Sequence, residues 1–146
     1  MSQLNELKLV AVKKPRHIPA VQVKRNKLSS RLWEQIQLAR SQVDGTEFKV
    51  MKNRTFKDRE TGLSKQMSVP KRLKPWWFVA DDGRICVSIR YGSQILELAE
   101  SKHSVEVESA TDLINALEVI KSAVEAGDLD VQIDLASKRL RGGFSR

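Results

Sequence analysis

The chain is poor in the residues that build disulfides and metal centres. Among its 146 residues, Cys86 is the single cysteine, and His17 and His103 are the two histidines. One cysteine excludes a disulfide within the chain, and these three residues lack the spacing of a zinc site. We therefore expect no metal and no cofactor.

The sequence also lacks the short motifs that mark common catalytic sites. It contains no glycine-rich phosphate loop, no HExxH motif and no paired carboxylate motif. Neither histidine has a serine, cysteine or carboxylate at motif spacing, so the sequence does not indicate a nucleophilic triad. These absences predict a protein that is not an enzyme.

Long apolar stretches are missing as well. No run of 18 apolar residues exists, and the N-terminal segment has no apolar block followed by a small-residue cleavage site. We expect a soluble protein without membrane contact, located in the cytoplasm.

What the chain has in abundance is positive charge, and that charge is uneven. The formal net charge is +8, with 40% apolar and 30% charged residues, a composition typical of a folded globular domain. Residues 1–75 contain 18 Lys and Arg against 6 Asp and Glu, whereas residues 76–146 contain 8 against 12. A basic surface attracts polyanions, although it also occurs simply as a solubilising surface.

The patterning predicts a single α+β domain at residues 28–141. Residues 1–27 form a basic segment punctuated by Pro15 and Pro19, which we interpret as a mobile arm, and residues 142–146 as a flexible tail. Helical periodicity predicts three amphipathic helices, at residues 29–43, 109–127 and 128–140.

Between the helices, the sequence predicts strands. Residues 47–56 and 64–73 read as a basic β-hairpin, and residues 76–107 as an antiparallel sheet of about four strands. The hairpin residues and the segment that follows them are rich in cations. The candidate phosphate contacts are Lys49, Lys52, Arg54, Lys57, Lys71, Arg72, Lys74 and Arg90.

Aromatic residues next to these cations predict base stacking. Trp76 and Trp77 are adjacent in a strand, so their side chains point to opposite faces and one indole is expected to face away from the core. The alternative is that helices cover both faces and bury both indoles. Tyr91 is a further candidate stacking ring, or else it continues an inward-facing row. Trp33 is expected to pack in the core or against a helix.

Three segments carry a resemblance to a family. They read VKRNKLSSRLWEQIQLA, VPKRLKPWWFVADDGRICVSIRYGSQILELA and AVEAGDLDVQI. They resemble an uncharacterised family of small basic proteins encoded by tailed phages and prophages, which implies a bacterial host and no transferable activity. In outline, strands followed by a long helix are similar to the positive-coactivator and Whirly type of single-stranded-DNA-binding domain, which implies a possible homodimer.

From these observations we predict a non-enzymatic nucleic-acid-binding protein that prefers single-stranded DNA. Two alternatives stay open. One is a phage effector that binds and modulates a host protein, and the other is a virion or scaffolding component.

Overall fold

The computed structural model describes residues 3–14 and 16–144 and shows an α+β fold, which confirms the predicted class. A 3₁₀ turn at Gln3–Glu6 precedes the main elements. The helices are α1 (Ala20–Asp44), α2 (Ala110–Ala126) and α3 (Asp130–Phe144). The strands are β1 (Met51–Lys57), β2 (Ser64–Pro70), β3 (Trp77–Val79), β4 (Ile85–Val87), β5 (Arg90–Tyr91), β6 (Gln94–Ile95) and β7 (Val105–Val107).

Within the described residues, the strands form three antiparallel sheets rather than one meander of four strands. β1 pairs with β2, β3–β4–β7 form a three-stranded sheet, and β5 pairs with β6. The difference arises because β7 pairs with β4, not with its predecessor β6. The chain between them turns back at Ser101, which has a positive φ of 59°, and so returns to the free edge of β4.

Helix α1 begins nine residues before the predicted position at Ser29. Pro19 occupies its N-cap position, where proline removes no helical hydrogen bond. The predicted arm therefore ends before Ala20, and residues 20–27 belong to the helix; Pro15 lies outside the described residues. The predicted stop is confirmed, because Gly45 caps the C-terminus with a left-handed φ of 71°.

Ion pairs fix the early turns of α1 to α3. Arg25 donates from Nε to Asp130 at 2.8 Å and from Nη2 to the second carboxylate oxygen, and Lys24 lies 3.2 Å from Asp134. The hydrogen bond from Arg25 lowers the pKa of Asp130 below its ordinary value. These pairs could not be inferred from local sequence signals, because the partners are more than 100 residues apart.

The capping signals of α2 are confirmed. The Ser109 side chain accepts a hydrogen bond from the Asp112 backbone N–H at 3.2 Å, and Gly127 ends the helix. α3 begins at Asp130 instead of Asp128 and continues through Gly142 to Phe144, so residues 142–144 of the predicted tail are helical. Glycine lowers helix propensity by about 1 kcal/mol without forbidding helical dihedrals. Residues 145 and 146 lie outside the described residues.

The core lies around the contact of α1 with α2. α2 also contacts β7, and α3 contacts β5 and β6. The largest fully buried side chains are Leu28, Leu32, Val87, Ile89, Leu96, Leu117, Val124 and Ile133. No helix in the described part of the chain has the length and apolar character needed to cross a bilayer.

Candidate nucleic-acid interface

The segment from Lys71 to Trp76 connects β2 to β3 and is held along α1. The buried Gln35 side chain accepts the Trp76 backbone N–H at 2.9 Å and donates to the Lys74 carbonyl at 3.0 Å. Nearer the start of the segment, Lys71 Nζ donates to Glu34 at 2.8 Å. These contacts fix the backbone of a cation-rich segment whose own residues form no helix or strand until Trp77.

A cleft with a volume of about 390 Å³ lies between α1, this segment and the β5–β6 turn. We call it the basic cleft. Among the described residues, Glu34 supplies the one carboxylate of its lining, together with Gln35, Trp76 and Tyr91. Its cationic lining residues are Lys27, Arg31, Lys71, Arg72, Lys74 and Arg90.

The cations of the basic cleft are only partly neutralised. Glu34 is shared by Lys71 at 2.8 Å and Arg31 at 3.6 Å. The remaining four cations, Lys27, Arg72, Lys74 and Arg90, pair with no carboxylate among residues 3–14 and 16–144. Excess positive charge therefore faces this concave surface, where like charges are tolerated only while water or an anion screens them.

The two adjacent tryptophans line different parts of the structure, although only Trp77 lies in a strand. Trp76 lines the basic cleft, whereas Trp77 lines an apolar cavity of about 320 Å³ beside Ala39 and Leu113. The expectation that one indole faces away from the core is wrong, because both indoles are half-buried and pack against it. Within the described structure, Trp76 is thus the tryptophan of the pair that meets the cations.

Tyr91 does not offer the exposed ring that a stacking role requires. Its side chain is 7% exposed, and Lys27 Nζ lies 4.8 Å from the ring centroid. The inward-facing alternative is therefore the one observed. Tyr91 instead positions Lys27 at the edge of the basic cleft through a cation–π contact.

The predicted hairpin cations lie outside the basic cleft. Lys52, Arg54 and Lys57 belong to β1, and Lys49 precedes it, 3.1 Å from Glu47. β1 and β2 form an antiparallel hairpin, residues 51–70, which we call the ribbon. The single basic surface predicted from the sequence is therefore divided between the basic cleft and the ribbon.

The base of the ribbon is attached to α1. Trp33 meets Phe48 edge to face with ring centroids 5.7 Å apart, and the Lys71 N–H donates to the Val50 carbonyl at 2.6 Å. Trp33 stays 47% exposed, so it supports the ribbon from the surface rather than filling the core. The base of the ribbon therefore lies beside α1 at Lys71, where the segment that lines the basic cleft begins.

The residues of the basic cleft that sequence reasoning missed include Lys27, Arg31 and Gln35. Lys27 was assigned to the arm, and the other two to a helix without a site. Their spacing of four residues places them on one face of α1, and that periodicity is the signal by which they could have been found. This spacing is informative only if α1 is predicted to begin before Lys27.

No group of three or more His, Cys, Asp or Glu side chains converges into a possible metal site in the described part of the chain. A protein-family model, described as a family of unknown function (DUF6641), matches residues 2–133. No curated protein and no solved structure matches the chain.

Proposed function

Since the chain belongs to DUF6641, a family of unknown function, we propose its function from the basic cleft: non-enzymatic binding of single-stranded nucleic acid, preferably DNA. The observation that carries the proposal is that four cations without a carboxylate partner in the described part of the chain converge around one half-buried indole. Cations beside an aromatic ring are the pair of features that single-strand binders use for phosphates and bases.

The cations supply the phosphate contacts. The four cleft cations that pair with no carboxylate in the described structure are exposed, and each can neutralise one phosphate of a strand that follows the basic cleft. The arginines add a planar fork that matches two phosphate oxygens at once. Phosphate binding of this kind positions the strand without selecting a sequence.

Trp76 supplies the stacking surface. The volume of about 390 Å³ falls in the range of pockets that hold small organic ligands, so one unstacked base fits beside the indole. In a duplex the bases are stacked and paired, and a base reaches such a pocket only after costly extrusion. This difference favours a single strand over a duplex at the basic cleft.

The biological setting is part of the proposal. The resemblance to phage and prophage proteins supports a phage-encoded protein that acts in the cytoplasm of a bacterial host. A homodimer is proposed on the likeness to oligomeric single-strand binders alone.

A protein-binding role is the second candidate, and one observation favours it. The segment from Leu7 to Val12 is apolar except for Lys8, forms no helix or strand, and is exposed; Leu9 is 69% and Val12 80% exposed. A largely apolar segment with free backbone groups can add as a strand to the edge of a partner's sheet. This candidate predicts a partner whose binding is insensitive to nuclease.

A fluorescence titration tests the first candidate. Oligothymidine and inorganic polyphosphate of equal charge are added separately to the full chain at two salt concentrations. We expect both to bind more weakly as salt rises, and only the oligonucleotide to quench tryptophan emission, because polyphosphate has no base to stack. Absence of binding, or binding without quenching, would contradict the proposal.

A further inference from the structure

The register of the ribbon separates its side chains into two faces of different chemistry. Directly opposed residues of an antiparallel pair share a face, and the faces alternate along each strand. One face carries the opposed pairs Lys52–Val69, Arg54–Met67 and Phe56–Lys65. The other carries Met51–Pro70, Asn53–Ser68, Thr55–Gln66 and Lys57–Ser64. We call the second one the amide face.

The assignment of faces is supported by a side-chain contact. The Arg54 guanidinium lies 5.3 Å from the centroid of the Phe56 ring, as expected of residues two apart on the same face. The first face is thus mixed apolar and cationic. The amide face presents amide and hydroxyl groups over most of its length.

The polar groups of the amide face are available for a ligand. All residues of β1 are exposed, as are Ser64, Gln66 and Ser68 of β2. The side chains of Asn53 and Gln66 form no hydrogen bond with any other described residue. Donors and acceptors that the fold does not use are therefore held in a regular array on a two-stranded scaffold.

The charges on the ribbon complement a polyanion. Its cations are Lys52, Arg54, Lys57, Arg59 and Lys65, and its carboxylates, Asp58 and Glu60, are confined to the turn. Asp58 there accepts the Glu60 backbone N–H at 2.9 Å and so serves the turn itself. Along the strands the charge is entirely positive: Lys57 lies on the amide face, and the other strand cations lie on the first face, from which their long side chains can reach the phosphates beside a groove.

We propose that the ribbon lies in the major groove of duplex DNA, with Asn53 and Gln66 contacting base edges. Seven residues per strand extend about 24 Å, and a two-stranded ribbon fits a groove about 12 Å wide. Asparagine and glutamine pair with the N6 and N7 positions of adenine. In an RNA duplex the same adenine edges face the major groove, which is too narrow for side chains to enter. The ligand is therefore DNA.

The two amides also have a spacing that suits bases two steps apart. Asn53 and Gln66 are diagonal neighbours, and diagonal positions across an antiparallel pair are about 7 Å apart. That distance corresponds to about two base-pair steps of about 3.4 Å. The ribbon is therefore expected to prefer a short site with two A·T pairs about two steps apart.

Selection of bound duplexes from a random pool, followed by sequencing, tests this inference on the full chain. We expect an enriched motif with this pattern. Replacing one of its A·T pairs by G·C should weaken binding by about 5- to 150-fold, the effect of one bidentate contact. The double variant Asn53→Ala/Gln66→Ala should bind the duplex with the motif and the duplex with the G·C replacement equally. Gln66→Met, which keeps the length of the side chain and the strand, should lose discrimination at one position.

The opposite face provides the matched control. Met67→Ala changes an exposed residue next to Gln66 and should keep the full discrimination. Three results would each overturn the inference. They are selection by the wild-type protein that enriches no motif, a double variant that still discriminates between the two duplexes, and a Met67→Ala variant that loses as much discrimination as Gln66→Met.

The ribbon inference goes beyond the proposed function and fails separately from it. Loss of single-strand binding in a variant of the basic cleft, with duplex discrimination intact, would support a second and independent surface. Loss of both properties on changing the basic cleft alone would overturn the assignment of discrimination to the ribbon.

Discussion

Removing two cations from the basic cleft should halve the contribution of this cleft to the salt dependence of single-strand affinity. The double variant Arg72→Gln/Lys74→Gln is suited to this test, because both side chains are exposed and pair with no carboxylate in the described structure. The hydrogen bond from Gln35 reaches the Lys74 backbone carbonyl and survives the substitution. Exposed changes of this type alter stability by about 0.5 kcal/mol or less.

The expected magnitude follows from the count of free cations. Four carboxylate-free cations give a slope of log affinity against log salt of about −2.8, at about 0.7 for each phosphate contact of a single strand. The variant retains two contacts and a slope of about −1.4. Between about 50 and 200 mM salt, the basic cleft of the wild type should lose about 50-fold in affinity, and that of the variant about 7-fold.

The assay is a fluorescence titration with oligothymidine of about eight nucleotides, a length within the site size of single-strand binders. Its control is Arg84→Gln/Lys102→Gln, which removes one arginine and one lysine that do not line the basic cleft. The control has the same net charge as the test variant. An equal change of slope in both, or no change in the test variant, would refute local phosphate binding at the basic cleft.

Three further predictions concern the indoles, the buried amide and one ion pair. Trp76→Leu should weaken binding of an oligonucleotide with its own fluorescent label by about 5- to 150-fold in an anisotropy titration, while Trp77→Leu should mainly lower stability; equal losses of affinity would contradict the assignment. Gln35→Met should lower the free energy of unfolding in urea by about 1–3 kcal/mol for each backbone group left without its partner, and an unchanged midpoint would show that water replaces the amide. Because the hydrogen bond from Arg25 lowers the pKa of Asp130, the wild type should be more stable than Asp130→Asn at neutral pH. The advantage should be complete above the unfolded-state pKa and disappear as the pH falls through the lower folded-state pKa; thermal melts from about pH 7 to about pH 2 would refute this if the difference stayed constant.

Local sequence signals predicted the elements whose ends are fixed by their own residues. Ser109 and Gly127 bound α2 as predicted, and the turn between β1 and β2 lies between the predicted strands. A cap or a tight turn is a short-range hydrogen-bond arrangement, so the residues that form it are adjacent in the sequence. The start of α1 was missed because Arg25 and Asp130 stabilise it across the fold.

The candidate site was predicted in part. Lys71, Arg72, Lys74, Trp76 and Arg90 do line one cleft. Lys52, Arg54 and Lys57, predicted to share that surface, lie on the ribbon instead, and Lys49 precedes the ribbon. Trp77 lines a separate apolar cavity, and Tyr91 lines the basic cleft with its ring buried. Proximity along the chain does not determine which of two surfaces a residue faces after the backbone turns.

The sequence by itself determined the fold class and the excess of cations in the first half of the chain. These properties depend on composition and on a period of two or four residues, which any fold of the chain must respect. Only the tertiary structure decided that α1 supplies one wall of the basic cleft, that Glu34 neutralises two of its cations and that Lys27 covers Tyr91. Those contacts join residues far apart in sequence, and the packing of the whole domain selects them.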